Sequence, residues 1–198
     1  MKIAVIKYNS GNVQSVLYAL ERLGVQAELT DDAEKIRSAD KVVFPGQGEA
    51  STAMKYLKKR NLDTLIGDLK QPFLGVCLGL QLLCEHSEEN DTKCLGIFPV
   101  KVKKFVPENS QEFKVPHVGW NELEDLKNNP LLADLPANPF VYYVHSYYAE
   151  LSNLTLASTH YIHDFSGILH RDNYYAIQAH PEKSGLVGEK LLSNFLRI

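Results

Sequence analysis

Short apolar runs alternate with amphipathic segments along the first part of the chain. Short segments rich in apolar residues predict strands at residues 3–6, 25–29, 41–44 and 73–76. Apolar side chains spaced three and four residues apart predict helices at residues 13–23, 31–36, 50–60 and 62–70. Because strands and helices alternate, right-handed crossovers are expected to build a parallel sheet with helices on both faces. We therefore predict an α/β fold with an open, mostly parallel sheet.

The second part of the chain has a different pattern. Residues 85–91 are too polar for a core and are expected to form an exposed loop. Alternating apolar positions between residues 95 and 127 predict antiparallel strands that extend one edge of the sheet. Further strands are expected in residues 154–169 and near residues 174–179. Residues 185–198 predict a closing helix whose apolar side chains face the sheet, namely Leu186, Leu191, Leu192, Phe195 and Leu196.

Length and composition limit the possible classes of protein. A chain of 198 residues fits one domain, residues 1–198. With 44% hydrophobic residues, 23% charged residues and a net charge of −3, nothing in the composition favours binding to nucleic acid. No apolar run approaches the roughly 20 residues that span a bilayer, and the chain starts with a predicted strand rather than a signal peptide. We expect a cytoplasmic protein that binds neither nucleic acid nor membrane.

Residues 73–83 join a buried strand directly to a helix, with Cys77 at the corner. Gly75 and Gly79 flank it, which allows the strand and the helix to pack closely around a strained backbone. The positive end of a helix dipole favours a nucleophilic thiolate, and the Leu78 N–H group is placed to donate to an oxyanion. The pattern predicts a nucleophile elbow with sulfur in place of a serine oxygen. The alternative is a small buried cysteine that only packs, which is the commoner use of such a residue.

A second stretch adds the partners that an activated nucleophile needs. Residues 174–179 predict a strand that delivers His180, and Glu182 follows after Pro181. Because proline keeps this segment out of a helix, Glu182 can turn back towards one ring nitrogen of His180 while the other faces the thiol. Nucleophile, base and orienting carboxylate are the minimum set for covalent catalysis. His145 is an alternative base, but His180 alone has a carboxylate at short range.

The remaining cysteines and histidines do not suggest a metal site or a cofactor. Cys84 lies at helical spacing from Cys77 and Cys94 stands alone, so we expect both to be packing residues. His160 and His163 lack further ligands at a recognisable spacing. The chain also contains neither a phosphate-binding loop nor a dinucleotide fingerprint, so any acceptor for a product must lie on another protein.

Together these stretches resemble the class I glutamine amidotransferases, whose triad is a cysteine in G-x-C-x-G-x-Q and a downstream His-Pro-Glu. The resemblance spans nearly the whole chain. Residues 116–121 and 143–148 look like signatures of the glutaminase subunits of imidazole glycerol phosphate synthase. The resemblance implies a heterodimer in which glutamine is hydrolysed to glutamate and ammonia through a cysteine thioester. The ammonia would pass to a β/α-barrel cyclase that makes imidazole glycerol phosphate and aminoimidazole carboxamide ribotide in histidine biosynthesis.

The resemblance also implies roles for individual residues. The triad is Cys77, His180 and Glu182, and the oxyanion is held by backbone N–H groups of Leu78 and Gln47. Glutamine is expected to contact a set of residues around the triad, namely Gly48, Gln81, His145, Ser146 and Tyr147. The partner-facing and ammonia-path residues are Asn12, Trp120, Tyr142 and Lys183.

The chain departs from the pattern of this family at three positions. Lys7 and Asn9 replace an aspartate and a glycine in the loop after the first strand, on the edge that faces the synthase partner in this family. Gln47 replaces an apolar residue, although the role there belongs to the backbone. Other interpretations stay open: another class I subunit, of pyridoxal phosphate synthase or guanosine monophosphate synthase type, a cysteine peptidase-like hydrolase on the same elbow, or a catalytically silent binding subunit.

Overall fold

The computed structural model describes residues 1–8, 13–108, 111 and 113–198. The helices within these ranges are α1 Gln14–Arg22, α2 Ala33–Arg37, α3 Ala50–Lys59, α4 Leu62–Asp68, α5 Leu78–Leu83 and α6 Gly185–Arg197. The strands are β1 Ile3–Ile6, β2 Ala27–Thr30, β3 Lys41–Gly46, β4 Phe73–Cys77, β5 Cys84–Ser87, β6 Thr92–Lys93, β7 Phe98–Lys104, β8 His117–Glu122, β9 Phe140–His145, β10 Tyr147–Ala149, β11 Thr155–Tyr161, β12 His163–Arg171 and β13 Tyr174–Ile177. Single 3₁₀ turns lie at Pro130–Leu132 and Pro181–Lys183.

A seven-stranded sheet forms the centre of the fold, in the order β11-β12-β13-β4-β3-β1-β2. The strands from β13 to β2 are parallel, whereas β11 and β12 are antiparallel additions at one edge. This confirms the predicted open, mostly parallel sheet with antiparallel edge strands. The cysteine strand β4 and the histidine strand β13 are neighbours, so the ends of both strands meet at one edge of the sheet.

Two apolar clusters cover the two faces of this sheet. Alternation along β1 sends Ile3 and Val5 into the cluster that contains α1 and α6, and Ala4 and Ile6 into the cluster that contains α2 to α5. Each fully buried Val, Leu, Ile or Phe side chain contributes about 1.5–3 kcal/mol, so both faces hold the sheet rigidly. None of the described helices is both long and apolar enough to cross a membrane.

The expectation for residues 85–91 and 95–127 is wrong in two respects. Residues 85–91 are not simply a loop, because β5 starts at Cys84 and pairs with β6 and β7. The strands of residues 95–127 do not extend the central sheet: β7 belongs to a separate sheet, β10-β7-β5-β6, and β8 pairs with β9 as a ribbon. The Leu82 and Cys84 carbonyls accept hydrogen bonds from the Leu95 and Gly96 N–H groups. This tertiary pairing takes the place of a further turn of α5 at Cys84.

Leu186 does not face the sheet, contrary to the prediction for the closing helix. Leu191, Leu192 and Phe195 are buried, but the Leu186 side chain is 85% exposed. Leu186 lies five and six residues before the two buried leucines, a spacing that places it on the opposite side of an α-helix. The start of α6 therefore presents a large apolar side chain to the surface.

Candidate functional site

The corner at Cys77 has the geometry of a nucleophile elbow. Cys77 ends β4 with a φ of 53° and a ψ of −108°, and α5 begins at the next residue. A Cβ atom on Gly79 would lie 1.9 Å from the Phe44 carbonyl oxygen, and one on Gly75 would lie 2.7 Å from Leu83 Cδ1. A Cβ on Gly79 would require the backbone to move, whereas one on Gly75 would require the Leu83 side chain to move, so the close approach predicted at the corner is confirmed. A positive φ strains the backbone of a residue such as Cys77. Strain of this type persists only where the surrounding structure enforces it, and it is concentrated at active sites.

His180 reaches the same edge of the sheet from β13. Ile177 pairs with Val76 in a parallel register, so the residues after β13 run beside Cys77. The 3₁₀ turn Pro181–Lys183 brings Glu182 back, and its Oε1 lies 2.8 Å from His180 Nδ1. Both side chains are buried, with 2% and 3% of their surface exposed. The carboxylate therefore lies within hydrogen-bonding distance of the imidazole, which is the geometry that a base and its orienting group would need.

The electrostatics of this pair favour an imidazolium. Burial lowers the pKa of His180, but the neighbouring Cys77 thiolate and the Glu182 carboxylate outweigh it and raise the pKa to about 10. His180 Nε2 is buried and forms no hydrogen bond with the described residues. Since Nδ1 is used by Glu182, Nε2 is the nitrogen left to exchange a proton with the thiol or a leaving group.

His145 is held in a different way and does not act as a base in this geometry. Its Nδ1 lies 2.8 Å from the Tyr147 carbonyl, which can only accept, so Nδ1 carries the proton. Its Nε2 then accepts from His117 Nδ1 at 3.1 Å. Burial lowers the pKa of His117 to about 4 and that of His145 to about 3. His145 is thus neutral, and its single lone pair is occupied.

The loop after β3 lies directly beside the nucleophile. Gly46 pairs with Cys77 in the register of β3 and β4, and Gln47 and Gly48 follow at the cavity. Gly48 adopts a φ of +121°, as the double-glycine pattern predicts, but Gly46 does not adopt a positive φ. Glycine is needed at Gly46 for space instead, because a Cβ there would overlap the buried Tyr8 hydroxyl. The Gly46–Gly48 loop is therefore packed against Tyr8, in the segment that follows β1.

A cavity of about 460 Å³ opens at this edge of the sheet. It is lined by Cys77 and His180 and by all of the residues predicted to hold glutamine or the oxyanion, namely Gln47, Gly48, Leu78, Gln81, His145, Ser146 and Tyr147. Lys183 lies at its rim. The structure adds Glu89, whose carboxylate is the only acidic group lining this cavity among the described residues.

Sequence reasoning missed two polar residues here. The polar pattern places Glu89 in an exposed loop, but its Oε2 accepts from the Ala50 N–H group at 2.8 Å, and burial raises its pKa. Gln178 lies two residues before His180, is fully buried, and places its Nε2 3.8 Å from Cys77 Sγ. The only sequence signal for Gln178 is a polar residue at the end of an apolar strand.

Two of the residues predicted to face the partner, Trp120 and Tyr142, lie on the β8–β9 ribbon and do not line the cavity. Trp120 is 56% exposed on the outer face of the β8–β9 ribbon, and its ring is 6.0 Å from that of Tyr142. The Tyr142 carbonyl accepts from the His180 N–H group at 2.8 Å, so this ribbon is attached directly to His180. Asn12 lies outside the described residues. No cluster of three or more potential metal ligands occurs in the parts of the chain that the structure describes.

Comparison with known proteins identifies the family of this chain. The family model "Glutamine amidotransferase class-I" matches residues 4–198. Two similar proteins are named imidazole glycerol phosphate synthase subunit HisH. The one from Bacteroides thetaiotaomicron is 55% identical to this chain over 196 residues, covering 99% of both chains. The one from Idiomarina loihiensis is 40% identical over 198 residues, covering 100% of this chain and 98% of that one. A putative GMP synthase protein from Thermoplasma acidophilum shares the fold, with a TM-score of 0.75 at 21% identity over 100% of this chain and 92% of that one. The chain therefore belongs to the class I glutamine amidotransferase family.

Proposed function

We propose that this chain is the glutaminase subunit of an imidazole glycerol phosphate synthase and supplies ammonia for histidine biosynthesis. The observation that carries the proposal is that Cys77 and His180 line one cavity at the edge of the sheet, while Glu182 Oε1 lies 2.8 Å from His180 Nδ1 behind them. The full-length relatives at 40–55% identity carry the synthase subunit name, which favours this function over the pyridoxal phosphate synthase or guanosine monophosphate synthase alternatives.

The first half of the reaction cleaves the side-chain amide of glutamine. The Cys77 sulfur attacks the amide carbon, and the Leu78 and Gln47 N–H groups hold the oxyanion that develops. Removal of one such donor costs about 3 kcal/mol of transition-state stabilisation. His180 Nε2 gives its proton to the departing nitrogen, so ammonia leaves and a glutamyl thioester remains on Cys77.

The second half releases glutamate. His180, now neutral, takes a proton from water, and the hydroxide attacks the thioester carbon. The carbon–sulfur bond breaks, the thiolate is restored, and glutamate leaves. Glu182 keeps the proton on Nδ1 throughout and stabilises the imidazolium each time it forms.

Recognition of a free amino acid requires groups for its ammonium and its carboxylate. Glu89 lies in the cavity with a carboxylate that is held by the Ala50 N–H group, and we assign it to the substrate ammonium. Gln81, His145, Ser146 and Tyr147 line the same space. The ordered segment at residues 145–147 is fixed by the hydrogen bond of His145 to the Tyr147 carbonyl, so the pocket is preformed.

The partner is a cyclase with a β/α-barrel that docks on the outer face of the β8–β9 ribbon. Val118, Trp120 and Phe140 are about half exposed on this face, and Leu186 is exposed nearby in α6. Cross-strand pairing aligns Trp120 with Tyr142, which places both rings on one side of the ribbon. Lys183 is exposed between this face and the cavity, where it is available for an ion pair with the cyclase.

The cyclase also activates the glutaminase. The Gly46–Gly48 segment must present the Gln47 N–H group to the oxyanion, and Gly48 permits this peptide to flip. The segment packs on Tyr8, at the start of the loop that faces the partner in this family. Partner binding there favours the productive peptide orientation.

Co-purification with the cyclase, followed by a glutaminase assay, tests this function. We expect low ammonia release from the isolated chain and strong stimulation when both the cyclase and its nucleotide substrate are present. A substrate panel separates the peptidase alternative, since only an amidotransferase releases ammonia from free glutamine. Full turnover by the chain alone would refute the activation step, and no turnover in the complex would refute the function.

A further inference from the structure

Two buried glutamines connect the cavity wall to the nucleophile. Gln81 Nε2 donates to the Tyr147 carbonyl at 2.9 Å and to Gln178 Oε1 at 3.2 Å. Gln178 Nε2 in turn lies 3.8 Å from Cys77 Sγ. The Gln178 N–H group of the main chain donates to the Gly167 carbonyl at 2.8 Å, which holds this residue against β12.

The orientation of both amides follows from the end of this chain of contacts. A backbone carbonyl can only accept, so the atom of Gln81 that faces Tyr147 must be its amide nitrogen. The same nitrogen faces Gln178, so the atom it meets must be the Gln178 oxygen. The other end of the Gln178 amide, which faces the sulfur, is therefore the NH₂ group. The Tyr147 carbonyl thus fixes the orientation of both amides, so that the Gln178 NH₂ group, a donor, faces the Cys77 sulfur.

We propose that Gln178 is a positioning residue for amide cleavage: it donates to the Cys77 sulfur and keeps Gln81 in the orientation that glutamine binding needs. Only the second half of this role, the orientation of Gln81 for glutamine binding, rests on the proposed glutaminase function. An N–H donor that does not titrate stabilises a thiolate over a wide pH range. His180 cannot supply this alone, because it must give its proton away during the reaction.

The alkylation of Cys77 by iodoacetamide as a function of pH tests the donor without requiring turnover. Gln178→Met keeps the approximate volume and removes both polar groups, so we expect the midpoint of the rate profile to rise by about one pH unit, a tenfold change in thiolate population. The matched control is Gln71→Met, since Gln71 donates to the Ile36 carbonyl far from the cavity. Its midpoint should equal that of the unmodified protein. Profiles of Gln178→Met and the unmodified protein that superimpose would overturn the proposal.

The second half of the role has its own measurement in the complex with the cyclase. Gln178→Met removes the acceptor that orients Gln81, so we expect the KM for glutamine to rise several-fold, whereas Gln71→Met should leave it unchanged. An unchanged KM would overturn this half. Absence of glutaminase activity in the unmodified complex would instead refute the proposed function. The alkylation measurement would still test the donor role of Gln178 independently.

A measurement on the unmodified chain covers the case in which Gln178→Met does not fold. The side-chain amide of Gln178 should show a proton and nitrogen resonance shift with the same pH midpoint as the alkylation of Cys77. The Gln71 amide resonance should stay constant over this range. A Gln178 resonance that stays constant through the midpoint would overturn the proposal.

Discussion

Gly79→Ala tests whether the elbow depends on the close approach of α5 to β3. The new Cβ would lie 1.9 Å from the Phe44 carbonyl oxygen, and contacts of this type are essentially never shorter than 3.0 Å, so α5 must retreat by about 1.1 Å. Backbone cannot rotate away as a side chain can. Overpacking of this kind costs about 1–3 kcal/mol or more. A displacement of about 1 Å at the Leu78 N–H group is also expected to lower kcat about 100-fold.

Gly67→Ala is the matched control for this prediction. Gly67 lies in α4, and a Cβ there would meet nothing within 4 Å. Because alanine is a better helix former than glycine, this change should stabilise the fold by about 0.5–1 kcal/mol. Denaturant unfolding and acceptor-stimulated glutaminase assays measure both variants. A Gly79→Ala variant as stable and as active as Gly67→Ala would refute the packing argument.

Four further predictions address the charges and the partner surface. Glu182→Gln removes a buried charge that stabilises the imidazolium by about 4 kcal/mol, taking charge centres about 4 Å apart and an effective dielectric constant near 20. The kcat should therefore fall about 1,000-fold with an unchanged circular dichroism spectrum. The pKa of His180 is raised from its ordinary value of 6.5 to about 10, so its protonation stabilises the folded state. This contribution to the free energy of unfolding should be complete below pH 6.5 and be lost as pH rises through about 10. Unfolding curves measured over a pH series with and without Glu182→Gln isolate this loss. Glu89→Gln keeps an acceptor for Ala50 but loses the charge, so the KM for glutamine should rise about tenfold with little change in kcat. Trp120→Ala should weaken cyclase binding about 30-fold by titration calorimetry, while the free chain keeps its stability because this side chain is 56% exposed.

The parts of the site that follow from chain order were predictable from the sequence. The carboxyl ends of parallel strands share one edge of a sheet, so Cys77 at the end of β4 and His180 just after β13 meet once the two strands are neighbours. The short spacing of His180 and Glu182 likewise leaves little freedom for the carboxylate. These features depend on local sequence and on topology, both of which leave a pattern.

The parts that arise from tertiary contacts were not predictable. Glu89 belongs to a polar segment, and its position in the cavity depends on β5 pairing with β7 and on its bond to Ala50. Gln178 acquires its neighbours Gln81 and Cys77 only when distant segments fold together. Polarity along the chain indicates exposure on average, but it does not distinguish solvent from a polar cavity.

We propose Cys77 as the nucleophile for glutamine cleavage, and the chain contains its own controls for that role. Burial raises the pKa of the Cys84 thiol well above its usual range and that of Cys94 to about 12, so neither is reactive near neutral pH. The most direct measurement is mass spectrometry of the complex quenched during glutamine turnover, with peptides that separate the three cysteines. We predict a glutamyl adduct on Cys77 alone and no ammonia release by Cys77→Ala. An adduct on another residue, or glutamine hydrolysis that survives in Cys77→Ala, would contradict this role.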